Sequence, residues 1–115
     1  EEADVDAQLH LAIYEAAHNT VMLHIMGALS DMLRNDVFYN RERLYTRAGV
    51  RDLLLDQHLA IADAVVAGDA DAARAAAQAH VSFTIQTLRE IRDDDARLEA
   101  SLRRIGRGDL IDSEA

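Results

Sequence analysis

Four residues in this sequence have the types and spacing of a metal site: Asp6 and His10 near the start, then His58 and His80. Carboxylates and imidazoles are protein ligands of transition-metal ions such as zinc. Asp6 and His10 lie four positions apart, so on a helix they share one face. One carboxylate and three imidazoles that meet inside a protein could therefore bind a divalent metal.

The second histidine pair lies on either side of a predicted helix-to-helix turn at Gly68-Asp69. His58 precedes Gly68 by ten residues, and His80 follows Asp69 by eleven. At a rise of about 1.5 Å per residue, both lie roughly 15 Å from the turn. In an antiparallel hairpin the two imidazoles are then expected side by side.

Apolar residues repeat at helical spacing along the chain, which predicts an all-α fold. The first helix is predicted at about 3–17, with an acidic start that suits the positive end of the helix dipole. Asn19 follows as a residue typical of helix ends and N-caps. The second helix is predicted from Val21 to about Leu44, and 45–49 is the predicted loop.

The third and fourth helices form the predicted hairpin. The third begins near Val50 and ends at Gly68, which suits the C′ position, while Asp69 suits the N-cap of the fourth. The fourth helix extends at least to Ile91 and could continue through the charged segment that follows, to Arg104.

One domain is predicted at 1–105, followed by a flexible acidic tail at 106–115. Gly106 and Gly108 are expected to end the last helix, and chain ends are commonly of low order. A length of 115 residues suits a single domain.

The composition restricts the classes of function. The chain has no proline and few aromatic residues, which favours helices over a sheet. The absence of cysteine excludes disulfides and thiol catalysis and is consistent with a reducing cytoplasm. A net charge of −9 disfavours contact of this chain with DNA phosphates. The apolar runs are too short to span a bilayer, so no membrane partner is expected.

Taken singly, a histidine in an apolar stripe is more often a packed core residue than a ligand. Two interpretations therefore stay open on spacing alone. One is a four-ligand metal site; the other is an exposed Asp6–His10 pair with two buried, hydrogen-bonded histidines. His18 lies beside a helix junction and His24 lies off the apolar stripe, so neither is given a ligand role.

Charged clusters are expected to be solvated surface. One cluster is the run of three aspartates at 93–95. The other is formed by the arginines around the loop, which could instead contact an anion or a partner. These arginines are Arg41, Arg43, Arg47 and Arg51. The chain contains no glycine-rich phosphate loop and no His-Glu-x-x-His pattern.

Two ordered segments carry a family resemblance. The first is Asp6-Ala-Gln-Leu-His10-Leu-Ala-Ile followed by Glu15-Ala-Ala-His-Asn19; the second is His58-Leu-Ala-Ile-Ala-Asp-Ala-Val-Val-Ala-Gly68-Asp69 with Ala79-His80-Val. They resemble the FadR-type C-terminal effector domain (FCD) of the GntR superfamily of bacterial transcription regulators. The resemblance covers nearly the whole chain. Within the family, the sequence most resembles the regulators of pyruvate dehydrogenase, L-lactate and glycolate operons.

The resemblance implies metal binding by the four residues already singled out by spacing: Asp6, His10, His58 and His80. The implied metal is zinc, with nickel or manganese as alternatives, and the implied effector is a small carboxylate that coordinates it. Asn19 matches a signature asparagine, for which we expect a supporting role behind the ligands or in the effector pocket.

Two parts of the family pattern do not occur in this sequence. They are the winged helix-turn-helix that binds operator DNA and the one or two helices that precede Asp6. We therefore expect an antiparallel helical bundle that is truncated on its N-terminal side, exposes apolar surface and forms a homodimer.

The resulting hypothesis is an effector-sensing and dimerisation domain of a repressor, without enzymatic activity. A lactate-, pyruvate- or glycolate-type acid would modulate DNA binding by the absent winged helix-turn-helix. Two alternatives stay open: a metal-dependent enzyme on a helical bundle, and a metal-free helical dimerisation module. An enzyme would need a general base, and the ligand-facing stripes offer no carboxylate apart from Asp6.

Overall fold

The computed structural model describes residues 2–112; for residues 30, 33 and 109–112 it describes the backbone only. Within this range it has five α-helices and no strand, which confirms the predicted all-α bundle. The helices are α1 (Glu2–Ala16), α2 (Thr20–Ala28), α3 (Ser30–Leu44), α4 (Val50–Val66) and α5 (Ala70–Asp112).

The helices pack so that α1 and the α4–α5 hairpin face a common interior. α1 packs against α2 and α3, α3 also packs against α5, and α4 packs along α5. A small core forms where α3 meets α4, from Leu44, Val50 and Leu54, with Phe83 and Leu88 of α5 against it. This core fixes how α4 and α5, which carry His58 and His80, lie against α3.

The hairpin turn has the caps that the sequence predicted. Gly68 has a φ of 70°, and its N–H donates to the carbonyl of Val65 at 3.0 Å. The N–H of Asp69 donates to the carbonyl of Ala64, also at 3.0 Å, which completes a Schellman motif. The Asp69 side chain then accepts from the N–H of Ala72 at 3.0 Å, as an N-cap does.

The predicted loop at 45–49 is confirmed, and α4 begins at Val50 as predicted. Gly49 ends the loop with a φ of 77°, a left-handed conformation that side chains with a Cβ rarely adopt.

The predicted single helix from Val21 to Leu44 is wrong. The chain leaves helical geometry at Leu29, with φ −94° and ψ 8°, and α3 begins at the next residue. Gly27 lies just before the break, and glycine lowers helix stability by about 1 kcal/mol relative to alanine. Because the apolar spacing continues across the break, periodicity alone does not reveal it.

The predicted end of regular structure at Gly106 and Gly108 is also wrong. α5 continues through both glycines to Asp112. Leucine and arginine, which favour helices, surround the two glycines and offset their unfavourable propensity. Residues 113–115 of the predicted tail lie outside the described residues, and the domain division at 105 stays a prediction.

α5 is much longer than its partners. Its 43 residues span about 65 Å at the helical rise, in a molecule with extents of 72 × 28 × 24 Å. Beyond Ile91, the apolar side chains Leu98, Leu102 and Ile105 are each about 60% exposed. No helix in residues 2–112 is both long enough and apolar enough to cross a membrane.

Candidate metal centre

Three histidines from three helices meet in the interior. One ligand nitrogen from each of His10, His58 and His80 lies within 4.8 Å of the others. The His58 and His80 ring centroids are 4.6 Å apart, which confirms that the two residues lie side by side across the hairpin. Ligands about 2.1 Å from one tetrahedral ion lie about 3.4 Å apart, so the nitrogen separations would shorten by up to about 1.4 Å as the cluster closed around an ion.

Asp6 lies on the His10–His58 side of the cluster. Its Oδ1 is 3.2 Å from Nε2 of His10 and 3.5 Å from Nε2 of His58. Among the described residues, Asp6 Oδ1 and His58 Nε2 are buried without a hydrogen-bond partner. Buried polar atoms without partners cost free energy, which a cation between them would offset. A carboxylate oxygen with imidazole nitrogens is a donor set that suits zinc and similar divalent ions.

Arg41 of α3 holds the other oxygen of the same carboxylate. Its Nη1 donates to Asp6 Oδ2 at 3.0 Å, and its side chain is only 18% exposed. The prediction that Arg41 belongs to a solvated surface is therefore wrong. The contact joins residues 35 positions apart through the packing of α3 on α1, so local sequence could not reveal it.

The remaining arginines near the loop do lie at the surface. Arg43 donates to Asp95 at 2.9 Å and Arg47 donates to Asp94 at 2.6 Å. Both aspartates are more than half exposed, as predicted for the acidic segment. These pairs connect the end of α3 and the following loop to α5, although exposed ion pairs contribute little to stability.

Gln57 supports the third histidine, and the sequence interpretation missed it. The Nδ1–H of His80 donates to Gln57 Oε1 at 2.9 Å, which leaves the Nε2 lone pair of His80 free to act as a ligand. Gln57 lies eleven residues before Gly68, and His80 lies eleven after Asp69. Counting residues from the turn, which predicts that His58 and His80 lie side by side, could also have placed Gln57 opposite His80.

The electrostatic environment favours the protonation states that metal binding needs. Burial lowers the pKa of His58, and it lowers the pKa of His80 to about 4. Burial alone would raise the pKa of Asp6, but the contact with His10 and the charges of His58, His10 and Arg41 outweigh it and hold that pKa below its usual value. At neutral pH, His58 and His80 are therefore neutral and Asp6 is ionised.

Two cavities adjoin the cluster. The smaller, of about 220 Å³, is lined by all four candidate ligands together with α3 and α5 side chains. The larger, of about 690 Å³, lies between α1, α3 and α4 and has Asp6 and His58 in its wall. Its remaining lining is largely apolar, apart from charged groups that include Arg41 and Arg51. A small molecule in the larger cavity would therefore contact the cluster directly.

Comparison with known proteins identifies the family. The model of the FCD domain matches residues 1–83, which include all four candidate ligands. The chain belongs to the FCD domain family.

Curated relatives of this FCD domain are transcription regulators. It is 43% identical over 95 residues, 83% of its length, to a regulatory protein assigned to the L-lactate dehydrogenase operon of Escherichia coli K12, and equally to the Shigella flexneri protein. It is 34% identical over 91 residues, 79% of its length, to the Glc operon transcriptional activator of E. coli K12. The chain spans little more than a third of these relatives, 37% and 36% of their lengths.

The other polar residues of the signature lie apart from the cluster. Asn19 of this FCD domain is exposed and caps α2, accepting from the N–H of Met22 at 3.0 Å, which confirms its expected role at the helix junction. It lines neither cavity, so its geometry offers no support for a role in the effector pocket. His18 and His24 are exposed, and neither belongs to the histidine cluster.

Proposed function

We propose that this FCD domain binds one divalent metal through Asp6, His10, His58 and His80, and that it is the effector-sensing domain of a bacterial transcription regulator. The observation that carries the proposal is the convergence of three imidazole nitrogens beside a carboxylate, where Asp6 Oδ1 and His58 Nε2 are buried without hydrogen-bond partners. Zinc suits this donor set, with nickel and manganese as alternatives.

The proposed effector is a small carboxylate of the lactate, pyruvate or glycolate type. The cavity of about 690 Å³ gives such a molecule access to Asp6 and His58. A metal held there would supply Lewis acidity, to which carboxylate and 2-hydroxyl oxygens coordinate. The relative assigned to the L-lactate dehydrogenase operon supports a 2-hydroxy acid as the first candidate.

DNA binding is proposed to reside in a winged helix-turn-helix outside this chain. A net charge of −9 is unsuited to contact with phosphates, and the relatives are more than twice as long as the matched segment. Effector binding would favour one arrangement of the helices and thereby alter the DNA-binding part of the full protein.

Dimerisation is the third part of the proposal. Large apolar side chains of α2 and α5 are exposed, among them Val21 at 70% and Ile105 at 62%. Exposed apolar surface of this kind is commonly covered in a homodimer. Sedimentation equilibrium of the purified chain tests this part independently of the metal.

Calorimetric titration tests the sensing function in two steps. Metal-free protein is first titrated with zinc, nickel and manganese, and the loaded protein is then titrated with L-lactate, pyruvate and glycolate. Lactamide, which lacks the carboxylate, is the matched control. We expect one metal per chain and binding of an acid only to the loaded protein. Metal binding without binding of any acid would contradict the sensing function while leaving the metal centre intact.

The same preparation separates the two alternatives. Hydrolysis of an ester, amide or lactone that disappears in His58→Ala would favour a metal-dependent enzyme. A melting temperature that chelation leaves unchanged would favour a metal-free dimerisation module. The regulatory names of the relatives support sensing over catalysis.

A further inference from the structure

A carboxylate is already held at one end of the larger cavity, and it belongs to the protein itself. Arg41 Nη2 donates to Glu2 Oε2 at 3.1 Å, and Arg51 donates to the other oxygen, Oε1. Both guanidinium groups lie near the ring of Tyr45: Cζ of Arg41 is 4.9 Å from the ring centroid, and Cζ of Arg51 is 5.8 Å from it. Two arginines from two helices therefore hold one carboxylate, each at one of its oxygens, through charge-assisted hydrogen bonds.

The Arg41 half of this two-arginine clamp is more fixed than an ordinary surface ion pair. The Arg41 side chain is mostly buried, and its other terminal nitrogen is held by Asp6. Tyr45 supports both cations by cation–π contact. Arg41 is thus ordered by neighbours that do not depend on Glu2, whereas the Arg51 side chain is 64% exposed and donates to Glu2 itself.

The Glu2 carboxylate, by contrast, is open to solvent. Its side chain is 57% exposed, although the main-chain carbonyl of Glu2 accepts a hydrogen bond from Arg41 Nη1 at 3.0 Å. Its interaction with the arginines competes with water and ions in solution, so its net contribution to stability is small. A dissolved carboxylate could replace it and keep the charge balance of the clamp.

The position of the clamp relates it to the candidate metal centre. Arg41, Arg51, Tyr45, Asp6 and His58 all line the same cavity of about 690 Å³. Asp6 contacts both Arg41 and the histidine cluster, so the clamp and the cluster are neighbours that share one carboxylate. An acid bound in this cavity would therefore lie in a space that both the clamp and the cluster line.

We infer that Arg41 and Arg51, supported by Tyr45, form a carboxylate subsite, and that Glu2 occupies it as an internal competitor until an acid displaces it. The inference rests on the proposed sensing function and adds to it the residues that recognise the acid. Because the clamped form cannot bind the acid, its population lowers the apparent affinity of the wild-type protein.

Calorimetric titration of zinc-loaded protein with L-lactate tests the inference. Glu2→Gln should bind L-lactate about two- to fivefold more tightly than wild type, because the neutral amide competes less well for the arginines. Arg51→Gln should weaken binding about tenfold, through loss of a charge-assisted hydrogen bond. Glu15→Gln, an exposed carboxylate further along α1, and Arg74→Gln, an exposed arginine of α5, are the matched controls and should equal wild type.

The outcomes separate this inference from the proposed function. If wild type binds L-lactate but Glu2→Gln and Arg51→Gln match their controls, the clamp is not the subsite and the sensing function stands. If Glu2→Gln binds L-lactate where wild type shows none, internal competition is supported. If neither binds L-lactate, pyruvate or glycolate with metal loaded, both the subsite and the sensing function are overturned.

Discussion

Asp6 and Arg41 form a partly buried ion pair in which the two oxygens of one carboxylate have different partners. Its Oδ2 accepts a hydrogen bond from Arg41 at 3.0 Å, while its Oδ1 points to the nitrogens of His10 and His58. One oxygen is satisfied by a cation of the protein, and the other is left to the histidine cluster. Arg41 therefore positions Asp6 for the cluster, as carboxylates behind metal ligands position imidazoles in many proteins.

This relationship predicts a loss of stability in Arg41→Gln. Removing the guanidinium leaves the buried Asp6 carboxylate without its cation, which should lower the free energy of unfolding of the metal-free protein by about 1–3 kcal/mol. Arg43→Gln, which breaks a pair with the exposed Asp95, should change it much less, because solvent screens that pair. Urea denaturation measures both. Equal destabilisation of the two variants would show that the Asp6–Arg41 pair has no special role.

Gln57 is predicted to fix the orientation of His80. Gln57→Ala removes the acceptor of the Nδ1–H bond, so metal affinity should fall about tenfold or more. Gln57→Glu keeps an acceptor at that position and should retain the affinity. Gln86→Ala, which disrupts an exposed pair with Glu90, is the control. Competition with a chromophoric chelator gives the dissociation constants, and an unchanged value for Gln57→Ala would refute the orienting role.

Acid should destabilise the metal-free protein through its buried histidines. The pKa of His80 is lowered to about 4 in the fold, against about 6.5 in an unfolded chain, and the pKa of His58 is also lowered. The unfolded state then binds more protons below about pH 6.5, so stability falls as the pH decreases and the His80 contribution is lost by about pH 4. Asp6, whose pKa is lowered from 3.8, adds a further loss only below that value.

Urea denaturation at a series of pH values checks this prediction. Between pH 7 and pH 5 the free energy of unfolding should fall by about 1–2 kcal/mol on account of His80. His80→Asn should give a flatter profile, while His24→Asn, at an exposed position, should follow wild type. A profile for His80→Asn that parallels wild type would exclude His80 as the source.

His18 is predicted to be an unfavourable residue at its position. It has a φ of 54°, in the left-handed region, just after α1 ends. Glycine adopts this conformation without a steric penalty, so His18→Gly should raise the free energy of unfolding by about 0.5–1 kcal/mol. His24→Gly, inside α2, should instead lower it by about 1 kcal/mol. Thermal denaturation compares the two, and destabilisation by His18→Gly would contradict the backbone argument.

The sequence predicts the histidine cluster better than its surroundings. The alignment of His58 with His80 follows from a turn whose caps are local and from a constant helical rise. Asp6 and His10 share a face because they are four residues apart. In each case the controlling interactions lie within one or two helical turns, where residue type and spacing determine geometry.

Arg41 shows where such reasoning ends. Its contact with Asp6 depends on how α3 docks on α1, which is set by the packing of many side chains rather than by a local signal. The break at Leu29 was missed because the apolar pattern is the same on both sides of it. Gln57 lies between these cases, because the symmetry of the hairpin could have placed it opposite His80.

The most direct test of the account is the metal content of the purified chain, measured by elemental analysis beside two variants. His58→Ala removes a central ligand nitrogen, and His24→Ala removes an exposed imidazole on α2; circular dichroism verifies that both retain the helical fold. After loading and dialysis, we expect about one divalent metal per chain in wild type and in His24→Ala, and none in His58→Ala. No metal in wild type, or equal metal in all three proteins, would contradict the proposed centre.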